Sequence, residues 1–323
     1  MPATVTHAYF SNDVYDILPN QIKERISLSR IKMFGQGTDP FMFYHLFSVK
    51  PGKKIRLMQR VCHRQHTRDF FCQFIEDIKK NHLEEDSDVC SFLCGFICHY
   101  VLDSTVHPFV IYKTGNFDKH NKATYKYNNL HLFMETYLDN YLIRKREHQN
   151  PYSFSIVKYS FDLRPFSAGL NQVIRSSFDK VYHVSNMDSI YYQALKDMKF
   201  SIQFFRQDRF GIKKFFYKLA DTFTPRSLFR FEAISYHYTM HPSYDFLNFR
   251  RRLWRNPTTY AITSHDSFYD LYIKSLKLAK KIIEDTFDYL SGQDIDLNSV
   301  FKNLSYTTGL DCDEHKELKY FEF

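Results

Sequence analysis

The chain has 323 residues, of which 44% are hydrophobic and 25% charged, with a net charge of +8 and only nine glycines. The hydrophobic share is typical of a folded protein with a sizeable core and excludes disorder as the dominant state. Globular proteins use roughly 7% glycine. The shortage, together with the lack of any G-x-G-x-x-G or G-x-x-x-x-G-K-[ST] string, disfavours a nucleotide-binding α/β fold.

The N-terminal sequence MPATVTH has neither a basic nor an apolar segment, so we expect no secretory signal. The longest apolar stretch, from Val89 to Leu102, falls short of the roughly 20 residues that a membrane span needs. The six cysteines include no C-x-x-C pair and are too few for a disulfide scaffold. These features predict a cytoplasmic protein without a transmembrane segment.

Helical periodicity covers most of the chain. Residues whose side-chain oxygens can cap a helix precede apolar runs near Asn20, Asp86-Ser87, Asn128-Asn129, Ser185-Asn186 and Ser264. These positions are the expected helix starts.

Two segments depart from the helical pattern. The stretch from Tyr112 to Asn129 is rich in Lys, Asn and Thr and predicts a loop, whereas the alternation from Ser153 to Tyr159 is compatible with an extended strand. Strand-like alternation is otherwise short and rare. The clearest helix is expected from Ser267 to Leu290, where apolar residues recur every three or four positions. The predicted fold class is all-α.

The sharpest feature is the string GFICHYVLDSTVHP at residues 95–108. His99, Asp103 and His107 are four residues apart, which on an α-helix places them on one face, about one turn from each other. Two imidazoles flanking a carboxylate form a ligand set of the kind that zinc prefers. The neighbours are apolar, so the helix should be buried, and burying ionisable groups is costly unless they are paired or bind a cation.

Pro108 lacks a backbone donor and is expected to end or kink this helix, which would let His107 turn towards a second metal. A second string, NLHLFMETYLD at residues 129–139, repeats the four-residue spacing with His131 and Glu135 and adds Asp139 one turn later. The alternative is that each string is a satisfied polar stripe on a helix. Two such helices in one chain favour a multi-metal site. His237 and His241 are also four residues apart, but Pro242, directly after His241, interrupts the helix that would carry them and disfavours a metal role.

The order H-x-x-x-D, H-P and H-x-x-x-E resembles that of the zinc-dependent phospholipase C family, which is related in fold to the fungal single-strand-specific nucleases. Similar segments elsewhere are THAYF (residues 6–10), GTDPF (37–41), VCHR (61–64), WRNP (254–257) and SFYDLY (267–272). The resemblance implies a multi-helix orthogonal bundle of the phospholipase C and single-strand nuclease type. It also implies a cleft that holds up to three zinc ions.

Carried over to this sequence, the resemblance implies that one zinc ion is held by Asp39, His63, His99 and Asp103. A second ion would be held by His107, His131 and Glu135, and Asp103 would bridge to a third that His7 helps to bind. Family members complete the third site with a mature N-terminal Trp, whereas this chain begins Met1-Pro2. We therefore expect two or three zinc ions.

A composition change near Asn150-Pro151 separates a histidine-rich half from a half rich in Phe, Tyr and Arg. Two domains or one are compatible with this change. We predict a single domain over residues 1–323, with the metal ligands within residues 1–150 and helical completion by residues 151–323.

The activity that the resemblance implies is phosphodiester hydrolysis, in which the headgroup of a phospholipid is cleaved off and Asp39 is the catalytic base. Zinc lowers the pKa of bound water from about 15.7 to about 7 and clamps the attacking and leaving oxygens. Phe41, Phe43 and Tyr44 are candidates to receive a quaternary ammonium headgroup, although such aromatics are more often core residues. The net charge allows contact with an anionic membrane surface.

Two alternatives stay open. A nuclease or nucleotidase would use the same zinc cluster on nucleic acid or nucleotides. A non-catalytic helical protein would keep the metals only for folding, with filled coordination spheres, whereas an enzyme needs an open position.

Overall fold

The computed structural model describes residues 3–206, 208–225, 228–237 and 244–322. In chain order, the α-helices within these residues are α1 (Thr4–Ile17), α2 (Asn20–Lys23), α3 (Leu28–Phe34), α4 (Lys53–Cys62), α5 (Thr67–Lys80), α6 (Ser87–Thr114), α7 (Leu130–Glu147), α8 (Ile156–Ser160), α9 (Ala168–Tyr182), α10 (Met187–Phe205), α11 (Ile212–Phe223), α12 (Phe268–Leu290) and α13 (Leu297–Val300). The prediction of an all-α fold is confirmed.

The remaining regular structure is short. Turns of 3-10 helix cover Asp39–Phe43, Lys122–Tyr127, Pro151–Ser153, Phe231–Ile234 and Cys312–Glu314. Strands β1 (Trp254–Arg255) and β2 (Thr263–Ser264) pair antiparallel, with Trp254 opposite Ser264.

Helix α6 lies at the centre of the bundle and packs against α1, α3, α7, α9 and α12. Asp86 caps it by accepting hydrogen bonds from the amides of Asp88 and Val89. Helix α6 extends beyond the apolar stretch from Val89 to Leu102 at both ends. Among the described helices it alone is therefore long and apolar enough to cross a membrane, but 94% of its most apolar 18-residue segment is buried inside the protein. That burial is typical of a core helix.

Pro108 does not end α6, so the expectation of a helix end there is wrong. The helix continues through Pro108 to Thr114. A helical proline leaves the carbonyl four residues earlier without its usual amide partner, and here the carbonyl of Ser104 lies against Gly309. A Cβ at Gly309 would be 2.5 Å from that oxygen, so only glycine fits this approach.

Helix α12 begins directly after Ser267, which forms a capping box with Asp270. Asp86, Asn129 and Asn186 are the N-cap residues of α6, α7 and α10, as expected. Ser264, by contrast, lies in β2.

The extended segment predicted at residues 153–159 is wrong. Residues Pro151–Ser153 form a 3-10 turn, and α8 begins at Ile156. The helical form of α8 places Ile156 and Ser160, which are both buried, one turn apart on the same side. In the predicted loop, Tyr112–Thr114 belong to α6, and Lys122–Tyr127 form a further 3-10 turn.

Residues from both sides of Asn150-Pro151 contribute to one large apolar core. Its aromatic part lies beside α6, where Phe92 stacks on Phe96 and on Phe74. This packing fixes α6, and with it the polar residues that α6 carries.

Candidate metal centre

Asp103 of α6 is surrounded by three imidazoles. Its Oδ1 lies 3.3 Å from Nε2 of His7, and its Oδ2 lies 3.4 Å from Nε2 of His99 and 3.2 Å from Nδ1 of His107. Since α6 is helical throughout, the four-residue spacing brings His99 and His107 to opposite sides of the carboxylate. The Asp103 side chain is only 4% exposed.

Asp39 and His63 approach the same point from the 3-10 turn and from the end of α4. Nε2 of His63 lies 3.4 Å from Oδ1 of Asp39 and 3.3 Å from Nε2 of His99. Gln59, one turn before His63, donates from Nε2 to Oδ1 of Asp39 at 3.1 Å and lies 3.1 Å from Nδ1 of His63. Donor atoms of His7, Asp39, His99 and Asp103 all lie within 4.8 Å of one another.

A second group of donors contains His107, His131 and Glu135, again within 4.8 Å of one another. Nε2 of His131 lies 3.1 Å from Oε1 of Glu135, and Nε2 of His107 lies 3.8 Å from the same oxygen. His107 thus joins the two groups, because its other nitrogen faces Asp103.

Backbone carbonyls orient two of the imidazoles. Nδ1 of His99 lies 3.2 Å from the carbonyl oxygen of Gly35, and Nδ1 of His107 lies 3.1 Å from that of Tyr306. A proton on Nδ1 that is donated to a carbonyl leaves Nε2 as the ligand nitrogen, which is the usual arrangement around zinc. The Tyr306 ring also packs on His63, with centroids 4.8 Å apart.

Gly37 makes room for His99. Its φ of +54° lies in the left-handed region, and a Cβ there would overlap the His99 ring. The hydroxyl of Tyr191 donates to the Gly37 carbonyl at 2.9 Å and holds this turn in place.

His7 reaches the cluster because α1 is anchored by Asp139. Oδ1 of Asp139 accepts from both the amide and the hydroxyl of Thr6 at 2.8 Å, and Oδ2 accepts from the Tyr236 hydroxyl at 2.6 Å. Arg206 lies 3.5 Å from Oδ2. Asp139, one turn beyond Glu135, therefore positions the helix that carries His7.

Burial and neighbouring charges shift the pKa values of the clustered histidines and of Asp103 in different directions. Burial lowers the pKa of His63 to about 3 and also lowers that of His99, even though Asp103 and Asp39 oppose the shift. For His107 the opposing carboxylates, Asp103 first, outweigh burial and raise the pKa to about 9. The pKa of Asp103 lies well below its usual range, since three imidazoles outweigh the effect of burial. His63 and His99 are thus neutral at pH 7, as metal ligands must be.

The donor set fits a cation. The Nε2 atoms of His63 and His99 face each other, and Nδ1 of His7 is buried without a hydrogen-bond partner. Buried polar atoms in this state are costly. A divalent cation satisfies facing nitrogens and carboxylate oxygens together, and imidazole with carboxylate is a zinc-type set.

The cluster opens to solvent through a cleft of about 290 Å³. Its lining includes His63, His107 and His131, with Arg60 of α4 and Arg64 just after α4 beside them. His131 is 33% exposed, so one side of the second group can be reached from solution.

The aromatic residues expected in the substrate pocket lie elsewhere. Phe41 is fully buried and packs edge-on against Phe178 and Tyr191, while Phe43 and Tyr44 pack against the core. The cleft contains Phe117 and Tyr127 instead. The proposed headgroup role of the first three aromatics is therefore wrong, because the 3-10 turn after Asp39 directs Phe41 inwards.

Several residues at the site were not predicted. Gln59 and Arg60 lie in the last turn of α4 and Arg64 directly follows its C-cap residue His63, so their closeness in sequence to a candidate ligand was an available signal. Tyr306 acts through its carbonyl and its ring, and no pattern marks it. His237 lies outside both donor groups, and Met1, Pro2 and His241 lie outside the described residues.

A helical bundle that gathers histidines and carboxylates from several helices beside an open cleft has the donor set of a helical metal-binding protein. The zinc-dependent phospholipase C family matches residues 6–183, which is more than half of the chain and includes every predicted ligand. The chain belongs to the zinc-dependent phospholipase C family. Neither a curated protein nor a solved structure matches it.

Proposed function

We propose that this protein is a zinc-dependent phosphodiesterase that hydrolyses the ester bond between the glycerol and the phosphate headgroup of a phospholipid. The observation that carries the proposal is a buried cluster of histidines and carboxylates, three of whose histidines, His63, His107 and His131, line a cleft that also contains Arg60 and Arg64. Arginine is well suited to bind phosphate oxygens. Membership of the zinc-dependent phospholipase C family supports the lipid class of substrate.

The ions would be held by the two donor groups. Asp39, His63, His99 and Asp103 would hold one, with His7 beside the same group, and His107, His131 and Glu135 would hold another. Zinc bound there would lower the pKa of water and stabilise negative charge on the phosphate. We propose two or three ions in total.

The chain's own residues then supply positioning and proton transfer. Arg60 and Arg64 orient the phosphate at the cleft. Water attacks phosphorus, the Asp39 carboxylate accepts a proton from that water, the P–O bond to glycerol breaks, and the proton passes to the leaving glycerol oxygen, so that diacylglycerol and the phosphorylated headgroup are released. Gln59, by donating to Oδ1, fixes the plane of that carboxylate. The solvent-facing side of His131 supports a catalytic centre over a purely structural one.

The test is metal content together with hydrolysis. Protein purified without chelator should contain two or three zinc ions per chain and cleave phosphatidylcholine faster than single-stranded DNA. His99→Ala should lose zinc and activity, whereas His265→Ala, at an exposed histidine outside both groups, should retain both.

Less than one zinc ion per chain, with the same amount in His99→Ala, would contradict the zinc site. Faster cleavage of DNA would assign the site to the nuclease alternative. Full zinc content without hydrolysis of either substrate would support the non-catalytic alternative.

A further inference from the structure

Helix α11 has the reverse of the amphipathic arrangement normal for a surface helix. Its apolar residues Ile212, Phe215, Phe216, Leu219 and Phe223 recur at three- and four-residue spacing and therefore share one face. All five are exposed, with fractions from 46% at Leu219 to 79% at Phe223. A globular protein normally turns such a stripe towards its core.

The opposite face of α11 holds the helix on the protein. Asp221 is the buried residue of this helix, and its carboxylate accepts from the amides of Phe231 and Glu232, both at 2.9 Å. The Tyr217 ring stacks on Phe231, and its hydroxyl donates to the carbonyl of Phe205 at 2.7 Å. The outward direction of the apolar face is thus fixed by specific contacts.

Neighbouring segments extend this apolar surface. Phe210, just before α11, is 83% exposed, and Phe200 and Phe204 at the end of α10 are each more than half exposed. Scattered exposed apolar residues are normal, but a contiguous patch of this kind marks an interaction surface.

The charges around the patch are positive. Lys218 lies beside the apolar face and is exposed, as are Lys214 one turn earlier and Arg209 before the helix. The carboxylate within α11, Asp221, is buried on the opposite face. An apolar face with lysines beside it is the pattern of a helix that lies in the interface of an anionic membrane.

The patch is connected to the cleft. Nδ2 of Asn128 donates to the carbonyl of Leu228 at 2.7 Å, and Oδ1 of Asn129 accepts from the amide of Arg230 at 3.3 Å. Asn129 caps α7 and lines the cleft beside His131. The segment after α11 is thereby attached to the end of the helix that carries two of the metal donors.

We propose that the α11 face, defined as Phe210, Ile212, Phe215, Phe216, Leu219 and Phe223 with Lys214 and Lys218, docks on the surface of an anionic phospholipid bilayer. Docking there presents the cleft to lipid headgroups. The inference goes beyond the proposed function, since binding to a bilayer requires no hydrolysis.

The experiment is co-flotation of the full chain with vesicles of phosphatidylcholine alone or of equal parts phosphatidylcholine and phosphatidylserine. Wild-type protein should bind the anionic vesicles more tightly. Phe216→Gln/Phe223→Gln should lower the partition coefficient roughly a hundredfold, because two phenyl rings no longer enter the bilayer. Lys214→Gln/Lys218→Gln should lower binding to anionic vesicles roughly thirtyfold.

The matched control is Ile273→Gln/Leu278→Gln on α12, where both side chains are similarly exposed, at 48% and 43%. It should bind as wild type does. All variants change exposed residues, so an unchanged thermal unfolding temperature will show that each is folded. Hydrolysis of a short-chain, monomeric phosphatidylcholine should be unchanged in the α11 variants, which separates docking from catalysis.

Lack of wild-type binding to either vesicle would overturn the proposal, as would equal binding of Phe216→Gln/Phe223→Gln. A wild-type dimer that this variant converts to a monomer would assign the face to a second copy of the chain. If vesicles are bound but no phospholipid is hydrolysed, the docking proposal stands and the proposed function fails.

Discussion

Helices α6 and α12 pack against each other, yet only one of them has a sequence that folding alone explains. Helix α12 has a capping box, an apolar face towards the core and lysine–carboxylate pairs in solvent, such as Lys281 with Asp285. Helix α6 is buried almost all round and carries His99 and Asp103 in its interior. Burial of these groups lowers stability unless they have a cation to bind, so their presence is a sign of function.

We therefore expect substitutions in the α6 cluster to change mainly zinc binding and hydrolysis, and substitutions in α12 to change mainly the free energy of unfolding.

Asp103→Asn should have the largest effect. The change removes the carboxylate charge that His7, His99 and His107 all contact, so zinc should be lost. Hydrolysis should fall by more than about 100-fold, which exceeds the usual effect of losing a residue that only orients a ligand. Metal analysis and initial rates measure both. Asp285→Asn on α12 is the control and should keep wild-type zinc and activity. Zinc retained at wild-type level in Asp103→Asn would show that Asp103 does not hold the metal.

Gly37→Ala should lower both zinc affinity and the free energy of unfolding. A Cβ would overlap the His99 ring and would also force alanine into a positive φ, which alone costs about 1–2 kcal/mol. Gly292→Ala is matched, because Gly292 has a φ of +96° with nothing within 4 Å of its would-be Cβ. Urea unfolding and zinc titration should show the backbone effect in both variants and the loss of zinc only in Gly37→Ala.

Gln59→Ala should weaken zinc binding about 10- to 100-fold, the range typical of residues that orient ligands. Gln59 holds Asp39 and contacts His63. Gln193→Ala removes a similar hydrogen bond, from Gln193 to Asp197 on α10, away from the cleft. Competition with a zinc chelator compares the two; equal affinities would show that Gln59 does not position the cluster.

Ser267→Ala should have the smallest effect, a loss of about 1 kcal/mol in the free energy of unfolding with full activity. Hydrogen bonds from Ser267, the largest cause, and the guanidinium of Arg251 lower the pKa of Asp270 from 3.8 to about 2. Because the folded pKa is the lower one, this contribution is present above about pH 4 and is lost as the pH falls through 2. Urea unfolding at pH 7 and between pH 4 and 2 should show the variant's deficit shrinking in acid. A constant deficit would contradict the assignment to Asp270.

Much of the fold follows from the sequence where local and tertiary signals agree. The capped, amphipathic α12 was predicted to within one residue, and the α6 and α7 strings brought the candidate ligands to notice because polar residues interrupted apolar helices. Pro108 was misread because the packing of Gly309 against the Ser104 carbonyl is a contact across 205 residues. Long-range contacts of this kind override local rules.

The rest could not be obtained from one sequence. The orientation of Phe41 depends on the turn that precedes it, and the carbonyl of Tyr306 has no residue signature at all. For α11, the periodicity marks an apolar face, but only the buried contacts of Asp221 and Tyr217 show that the face points outwards.

The hydrogen bond between His107 and the Tyr306 carbonyl joins residues 199 positions apart. Translation is vectorial, so all the candidate ligands from His7 to Glu135 leave the ribosome well before Tyr306 is synthesised. The Tyr306 carbonyl can therefore orient His107 only after every candidate ligand has been synthesised.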